Sequence, residues 1–93
     1  MKVPAVMNSK LLRISISYDS EKNEPVHVKV TDNATGHREE VRGTLDGIRK
    51  DVLQVLERWL QEGRGALTSE ACEYYATYID YEARRRATES PAD

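Results

Sequence analysis

The fold is decided by the stretch VHVKVT, residues 26–31, where apolar and polar side chains alternate at every position. In an extended chain, Val26, Val28 and Val30 fall on one side and the polar residues between them fall on the other. A period of two with β-branched residues predicts a strand with one buried face. Such a strand needs neighbours at its edges and a cover for its apolar side, and the flanking segments supply both.

The segments on either side predict two further strands. Residues 10–18 alternate in the same way, and the turn-forming residues 32–36, DNATG, predict a hairpin loop. Residues 37–44 follow as a weaker strand, in which Val41 is the one strong apolar residue and the charges suit a sheet edge. The sequence therefore predicts a three-stranded antiparallel meander with one apolar face.

The hydrophobic period changes to that of a helix after the third strand. Apolar residues recur at three- and four-residue steps and predict an amphipathic helix over residues 45–62. Thr44 is suited to cap its start, and Gly63 is suited to end it. The apolar arc spans roughly 160°, more than the ~100° that a surface helix commonly needs. We expect this helix, as the only one apolar enough, to cover the sheet.

A second, shorter helix is predicted after the joint formed by residues 63–65. Thr68 or Ser69 can cap its start, and Arg84–Arg86 suit the negative end of its dipole. The predicted fold class is therefore α+β in the order β-β-β-α-α, a meander packed on a long helix and followed by a shorter one.

The length bounds the domain organisation. A chain of 93 residues and 10.6 kDa is one domain. A domain of this size buries roughly 60% of the surface that its unfolded chain exposes, so its core is thin. We expect residues 10–87 to form the domain, residues 1–9 to be a flexible N-terminus and residues 88–93 to be a disordered tail.

The composition excludes several classes of protein. Acidic residues outnumber basic ones 16 to 14, and the net charge of −2 excludes a strongly basic nucleic-acid protein of the usual kind. The single cysteine, Cys72, cannot form an internal disulfide, and this favours the reducing cytoplasm. No apolar run approaches the ~20 residues that span a bilayer, so we expect no membrane partner.

The residues that carry catalysis or bind metals are sparse. His27 and His37 lie at opposite ends of one predicted hairpin, about 13 Å apart along it, and cannot share a metal ion. Cys72 has no histidine near it in sequence, and Gly63 and Gly65 lack the residues of a phosphate-binding loop. We therefore expect no enzyme activity, no cofactor, no metal and no small-molecule substrate.

The apolar residues left over favour a protein-binding function. The second helix has three tyrosines at i, i+4 and i+7 in a chain without phenylalanine, and tyrosine is enriched at interfaces. Leucines on the wide apolar arc of the first helix would form the base of the same binding surface, which we call the apolar floor. For the tyrosines and for the leucines alike, packing within the monomer is the alternative. The leading hypothesis is a non-catalytic adaptor or inhibitor that binds a protein partner or a second copy of itself. Its predicted binding residues are Tyr74, Tyr78, Tyr81, Leu53, Leu56 and Leu60.

The polar side of the predicted sheet is locally basic. Its arginines and lysine, with serines and threonine between them, could lie on nucleic-acid phosphates or on an acidic protein. Glu40 on the same side and the lack of an aromatic residue for base stacking favour an ordinary solvated face instead. A small nucleic-acid-binding regulator is the alternative function, and its predicted residues are Arg13, Lys29, Arg38 and Arg42.

The layout of the elements offers one resemblance. Three strands followed by two helices is similar to the outline of several small phage-encoded inhibitors, anti-CRISPR proteins among them. This resemblance implies an inhibitor of a host protein complex. It rests on layout alone, and no residue is carried across from it.

Overall fold

The computed structural model describes residues 5–8 and 11–89. These residues form one sheet of four antiparallel strands, two α-helices and a short 3-10 helix, so the predicted α+β class is confirmed. The strand order in the sheet is the order in the chain. The elements are β1 (Ala5–Asn8), β2 (Leu12–Tyr18), β3 (Val26–Asp32), β4 (Arg38–Gly43), α1 (Ile48–Glu62), the 3-10 helix (Arg64–Ala66) and α2 (Ser69–Glu89).

The strands β2, β3 and β4 pair in the register that their alternation requires. Ile14 lies opposite Val30 on the neighbouring strand. Val28 lies between Ile16 on one side and Val41 on the other. The members of these rows on β2 and β3 are fully buried, and they form the sheet's contribution to the core. Because side chains alternate along a strand, the polar residues between them all lie on the opposite face.

The N-terminal residues differ from the predicted flexible segment over residues 1–9. Ala5–Asn8 form β1, which pairs antiparallel with β2 so that Ala5 lies opposite Ile16. The sequence AVMN has no period of two, so it gives no strand signal of its own. The strand satisfies backbone groups along the edge of β2 that would otherwise have no partner in the sheet. Residues 5–8 are therefore part of the sheet.

The two chain ends are described only in part. Helix α2 extends to Glu89, so its 21 residues make it longer than the 15-residue α1, and the prediction of a shorter second helix is wrong. The first two residues of the predicted tail, residues 88–93, are helical. The rest of that tail lies outside the described residues. Residues 1–4 and 9, the remainder of the predicted flexible N-terminus, lie outside them as well.

Helix α1 starts three residues later than predicted and ends where predicted. The Thr44 hydroxyl and carbonyl accept hydrogen bonds from the Gly47 amide, and the Thr44 carbonyl also accepts one from the Ile48 amide. These bonds close a turn, so Gly47 is the N-cap residue of the helix. Gly63 ends it with a φ of 75°, a left-handed conformation that glycine adopts without strain, and its amide donates to the Leu60 carbonyl.

Both helices cover the apolar face of the sheet, so the expectation that α1 alone would do so is wrong. Helix α1 packs against β4, α2 packs against β2, and the two helices pack against each other. The Thr68 hydroxyl accepts a hydrogen bond from the Ala71 amide and caps α2. Although α2 is only weakly apolar, it can cover the sheet because small residues on its inner side let it approach closely. The fully buried residues of α2 are Cys72, Ala76, Ile79 and Ala83.

A buried tryptophan fixes α1 to the edge strand. Trp59 is fully buried, and its indole nitrogen donates a hydrogen bond to the Glu39 carboxylate on β4. The Arg58 guanidinium donates to the same carboxylate at 2.5 Å. The hydrogen bond from Arg58, followed by the one from Trp59, lowers the pKa of Glu39 from 4.5 to about 2. The ring of His37 lies 5.4 Å from that of Trp59, between centroids.

We expect Glu39→Gln to lower the free energy of unfolding by roughly 1–2 kcal/mol at neutral pH, because the charge-assisted bonds are lost. A carboxylate with a depressed pKa stabilises the fold fully above its unfolded value of 4.5, and this stabilisation is lost as pH falls towards about 2. Urea unfolding at several pH values between 4.5 and about 2 should show that the free energy of unfolding falls less steeply for the variant than for the parent protein. Glu57→Gln, which changes an exposed residue of α1, is the control; equal slopes for the parent and Glu39→Gln would contradict this assignment.

Candidate functional site

The outer face of the sheet is the first candidate surface, and it is composed as predicted. Its residues on β2, β3 and β4 are exposed or half-buried, and no element in the described part of the chain packs over them. The register sets them in three rows across the strands. The rows are Arg13, Thr31 and Arg38; Ser15, Lys29 and Glu40; and Ser17, His27 and Arg42.

The four cations of this surface, which we call the basic sheet face, are Arg13, Lys29, Arg38 and Arg42. None of them makes an ion pair with another described residue. The one carboxylate among them, Glu40, instead lies 2.8 Å from His27 Nε2. The hydrogen bond with His27 lowers the pKa of Glu40, and the nearby positive charges lower it further. The face therefore carries an excess of positive charge in a chain of net charge −2.

A shallow cavity opens at one end of the basic sheet face. Its volume is about 240 Å³. Three cationic side chains and two hydroxyl groups surround it, so its polar side-chain groups can all donate hydrogen bonds. A second depression, towards the β2–β3 turn, includes Arg42. The residues around the first cavity are Arg13, Ser15, Lys29, Thr31 and Arg38.

The solvent side of α2 is the second candidate surface. Tyr74 and Tyr81 are each 63% exposed. They are seven residues apart, about two helical turns, and lie on the side opposite the buried residues of the helix. Exposed side chains continue this side towards both ends of the helix. We call this surface the tyrosine face, and its residues are Glu70, Tyr74, Thr77, Tyr81 and Arg85.

The structure separates the third predicted tyrosine from the other two. Tyr78 is half-buried and packs against the hydrophobic core. Burial raises the pKa of its phenol, and Glu82 adds to the increase. Tyr75 also packs against the core, and its ring meets that of Tyr74 edge-on at 5.6 Å between centroids. The tyrosine face therefore has two aromatic residues rather than the three that the spacing predicted.

The structure divides the three leucines of the predicted apolar floor. Leu56 is fully buried in the core, so it is not available to a partner. Leu53 and Leu60 are half-buried and pack against the same core. The reason is that α2 folds back on α1 and covers much of the wide apolar arc from which these residues were selected. The sequence alone did not show which part of that arc α2 would cover.

The basic end of α2 borders an open groove of about 540 Å³ beside Tyr81. Its charged residues are already paired within the chain: Arg84 Nε lies 3.2 Å from Asp80, and Arg85 Nε lies 3.4 Å from Glu82. The Arg84 guanidinium also donates to the Leu45 carbonyl, across the gap to the start of α1. These pairs keep Arg84 and Arg85 close to the surface of the helix.

The groups considered for metal binding and catalysis do not come together. Within residues 11–89, no three histidine, cysteine, aspartate or glutamate side chains are grouped so that they could hold a metal ion. His27 lies on the outer face of the sheet, whereas His37 packs against Trp59 on the inner side. Cys72 is fully buried, and burial raises the pKa of its thiol. A high thiol pKa disfavours the reactive thiolate.

Comparison with protein-family models, with curated proteins and with solved structures finds no match to this chain. Neither described helix combines the length and the apolar character needed to cross a membrane.

We expect Leu56→Ala to lower the free energy of unfolding by about 2–5 kcal/mol, because it leaves a cavity in the core. Tyr81→Ala, at an exposed position, should change it by less than about 0.5 kcal/mol. Urea unfolding of the two variants, side by side with the parent, measures both effects. A small effect of Leu56→Ala would place this leucine on the surface and restore the predicted floor.

Proposed function

We propose that the protein is a small non-catalytic binding module that associates with other protein molecules through the tyrosine face. The observation that supports this most is the pair of phenolic rings, Tyr74 and Tyr81, left 63% exposed on the helix side opposite the core. Tyrosine combines a large apolar area with a hydroxyl that tolerates water, and such residues provide much of the energy of protein interfaces. The module would act as an adaptor or as an inhibitor, by occupying a surface of its partner.

The partner that fits this face best is a second copy of the chain. Glu70 stands four residues before Tyr74. Arg85 stands four residues after Tyr81. At 100° per residue these four positions fall within an arc of about 60°. The stripe thus reads acid, tyrosine, tyrosine, base, with its midpoint between residues 77 and 78.

A two-fold axis at that midpoint would set two such helices antiparallel. Tyr74 of each copy would then meet Tyr81 of the other, and Glu70 of each copy would meet Arg85 of the other. Both of these contacts are attractive, and each occurs twice, as an isologous interface requires. The self-complementary pattern supports a homodimer over an unrelated partner.

The location that we propose is the cytoplasm. The single thiol is buried and has no partner for a disulfide, which is usual for proteins of reducing compartments. An inhibitor of a host protein complex, the role implied by the layout resemblance, would use the same exposed rings.

We expect light scattering over a range of concentrations to show association of the parent chain. The double variant Tyr74→Ala/Tyr81→Ala should weaken this association by at least about tenfold, since both Tyr74–Tyr81 contacts of the interface are lost. Leu11→Ala, at another exposed apolar residue outside α2, is the matched control and should associate like the parent. A parent chain that stays monomeric at every concentration would exclude the second copy as partner.

A charge exchange tests the antiparallel arrangement itself. Glu70→Arg and Arg85→Glu should each prevent self-association, because each places like charges opposite one another at both ends of the interface. Mixed in equal amounts, the two variants should form a heterodimer, because both contacts are then attractive. Light scattering of the mixture measures this, and a mixture that stays monomeric would contradict the pairing.

A further inference from the structure

We propose that the basic sheet face binds the phosphate backbone of double-stranded nucleic acid without reading its sequence. This goes beyond the protein-binding function proposed above and uses the opposite side of the molecule.

The arginines of this protein divide into two groups. Five of the six arginines on the helices and their joint make ion pairs with acidic neighbours, for example Arg49 with Glu73 at 2.7 Å and Arg58 with Glu39 at 2.5 Å. The sixth, Arg86, is half-buried on α2 and does not face solvent as the sheet arginines do. Those of the sheet are not paired with any described carboxylate, although the chain contains more acids than bases. Unpaired cations grouped on one face attract an anion from outside the chain.

The cavity between three of these cations suits phosphate oxygens. Arg13 and Arg38 stand at its two sides, and Thr31 lies between them in the same row. Lys29 and Ser15 close it from the next row. Guanidinium, ammonium and hydroxyl groups are the side-chain donors that proteins use on phosphate oxygens.

The positive charge extends beyond one phosphate group. Arg13 and Arg38 are two strands apart, about 10 Å across the sheet. Arg42 lies four residues beyond Arg38 on β4, about 13 Å along the strand. A single phosphate cannot reach all of these side chains, whereas a chain of phosphates can. The ligand is therefore a polyanion.

The residue types on the face indicate nucleic acid rather than protein. On β2, β3 and β4 this face has no leucine, isoleucine, valine, tyrosine or tryptophan. Protein interfaces take most of their binding energy from such residues, whereas backbone binding to nucleic acid depends on cations and hydroxyls. The one aromatic ring on these strands of the face, that of His27, is hydrogen-bonded to Glu40, and no tyrosine or tryptophan there offers a platform for base stacking. This disfavours single strands and indicates a duplex.

Fluorescence anisotropy with a labelled duplex DNA of arbitrary sequence tests the proposal. The parent chain should bind at low salt, and its association constant should fall with a log–log salt slope of about −3 to −4 if all four cations contact phosphates. Arg13→Ala and Arg38→Ala should each weaken binding and reduce the slope by about 1. Glu40→Gln should tighten binding, because it removes the one carboxylate on the face.

Arg49→Ala is the matched control, since it removes the same charge from a helix and should leave DNA binding unchanged. Circular dichroism verifies folding, and Lys29→Gln replaces either arginine variant that fails to fold. The proposal would be overturned by a lack of binding at low salt, by an equal loss in Arg49→Ala, or by binding that does not depend on salt. Tighter binding of poly-glutamate than of DNA would also overturn it and would assign the face to an acidic protein. Tighter binding of single-stranded than of duplex DNA would overturn the choice of a duplex.

Discussion

The strict alternation of apolar and polar residues along the two central strands is the constraint on which this structure depends. It gives the sheet one apolar face, and both helices must lie on that face because only there do they bury apolar area. Two consequences follow for the surface. The outer face of the sheet keeps its charges exposed to solvent, and α2, lying over β2 beside α1, turns its own outer side away from the core.

The sequence was sufficient for the elements that have a period of their own. It predicts the strands β2, β3 and β4 and both helices. It also predicts the composition of the outer sheet face. Strand β1 was not predictable, because its four residues lack alternation and are held by backbone bonds to β2. The spacing predicts a surface position for Leu56 and Tyr78 for a related reason: a helical period shows which residues share a face, but not which neighbour covers that face.

The partners of the charged side chains were likewise not predictable from the sequence pattern alone. The inward side of β4 was readable from the sequence, since Glu39 and Val41 have the same parity, and an inward glutamate needs a donor. The indole of Trp59 is such a donor, but its partner lies 20 residues away and only the packed structure brings the two together. Unpaired arginines on the sheet could likewise be recognised only after the pairs on the helices were known.

The burial of the one cysteine has a practical consequence for spectroscopy. A thiol that is closed to solvent and holds its proton tightly reacts slowly with maleimide and iodoacetamide reagents, which require the thiolate. The native side chain can therefore stay in place while a second cysteine is introduced at an exposed position such as Thr88. Fluorophores or spin labels would then attach to one chosen point, and distances could be measured without disturbing the core.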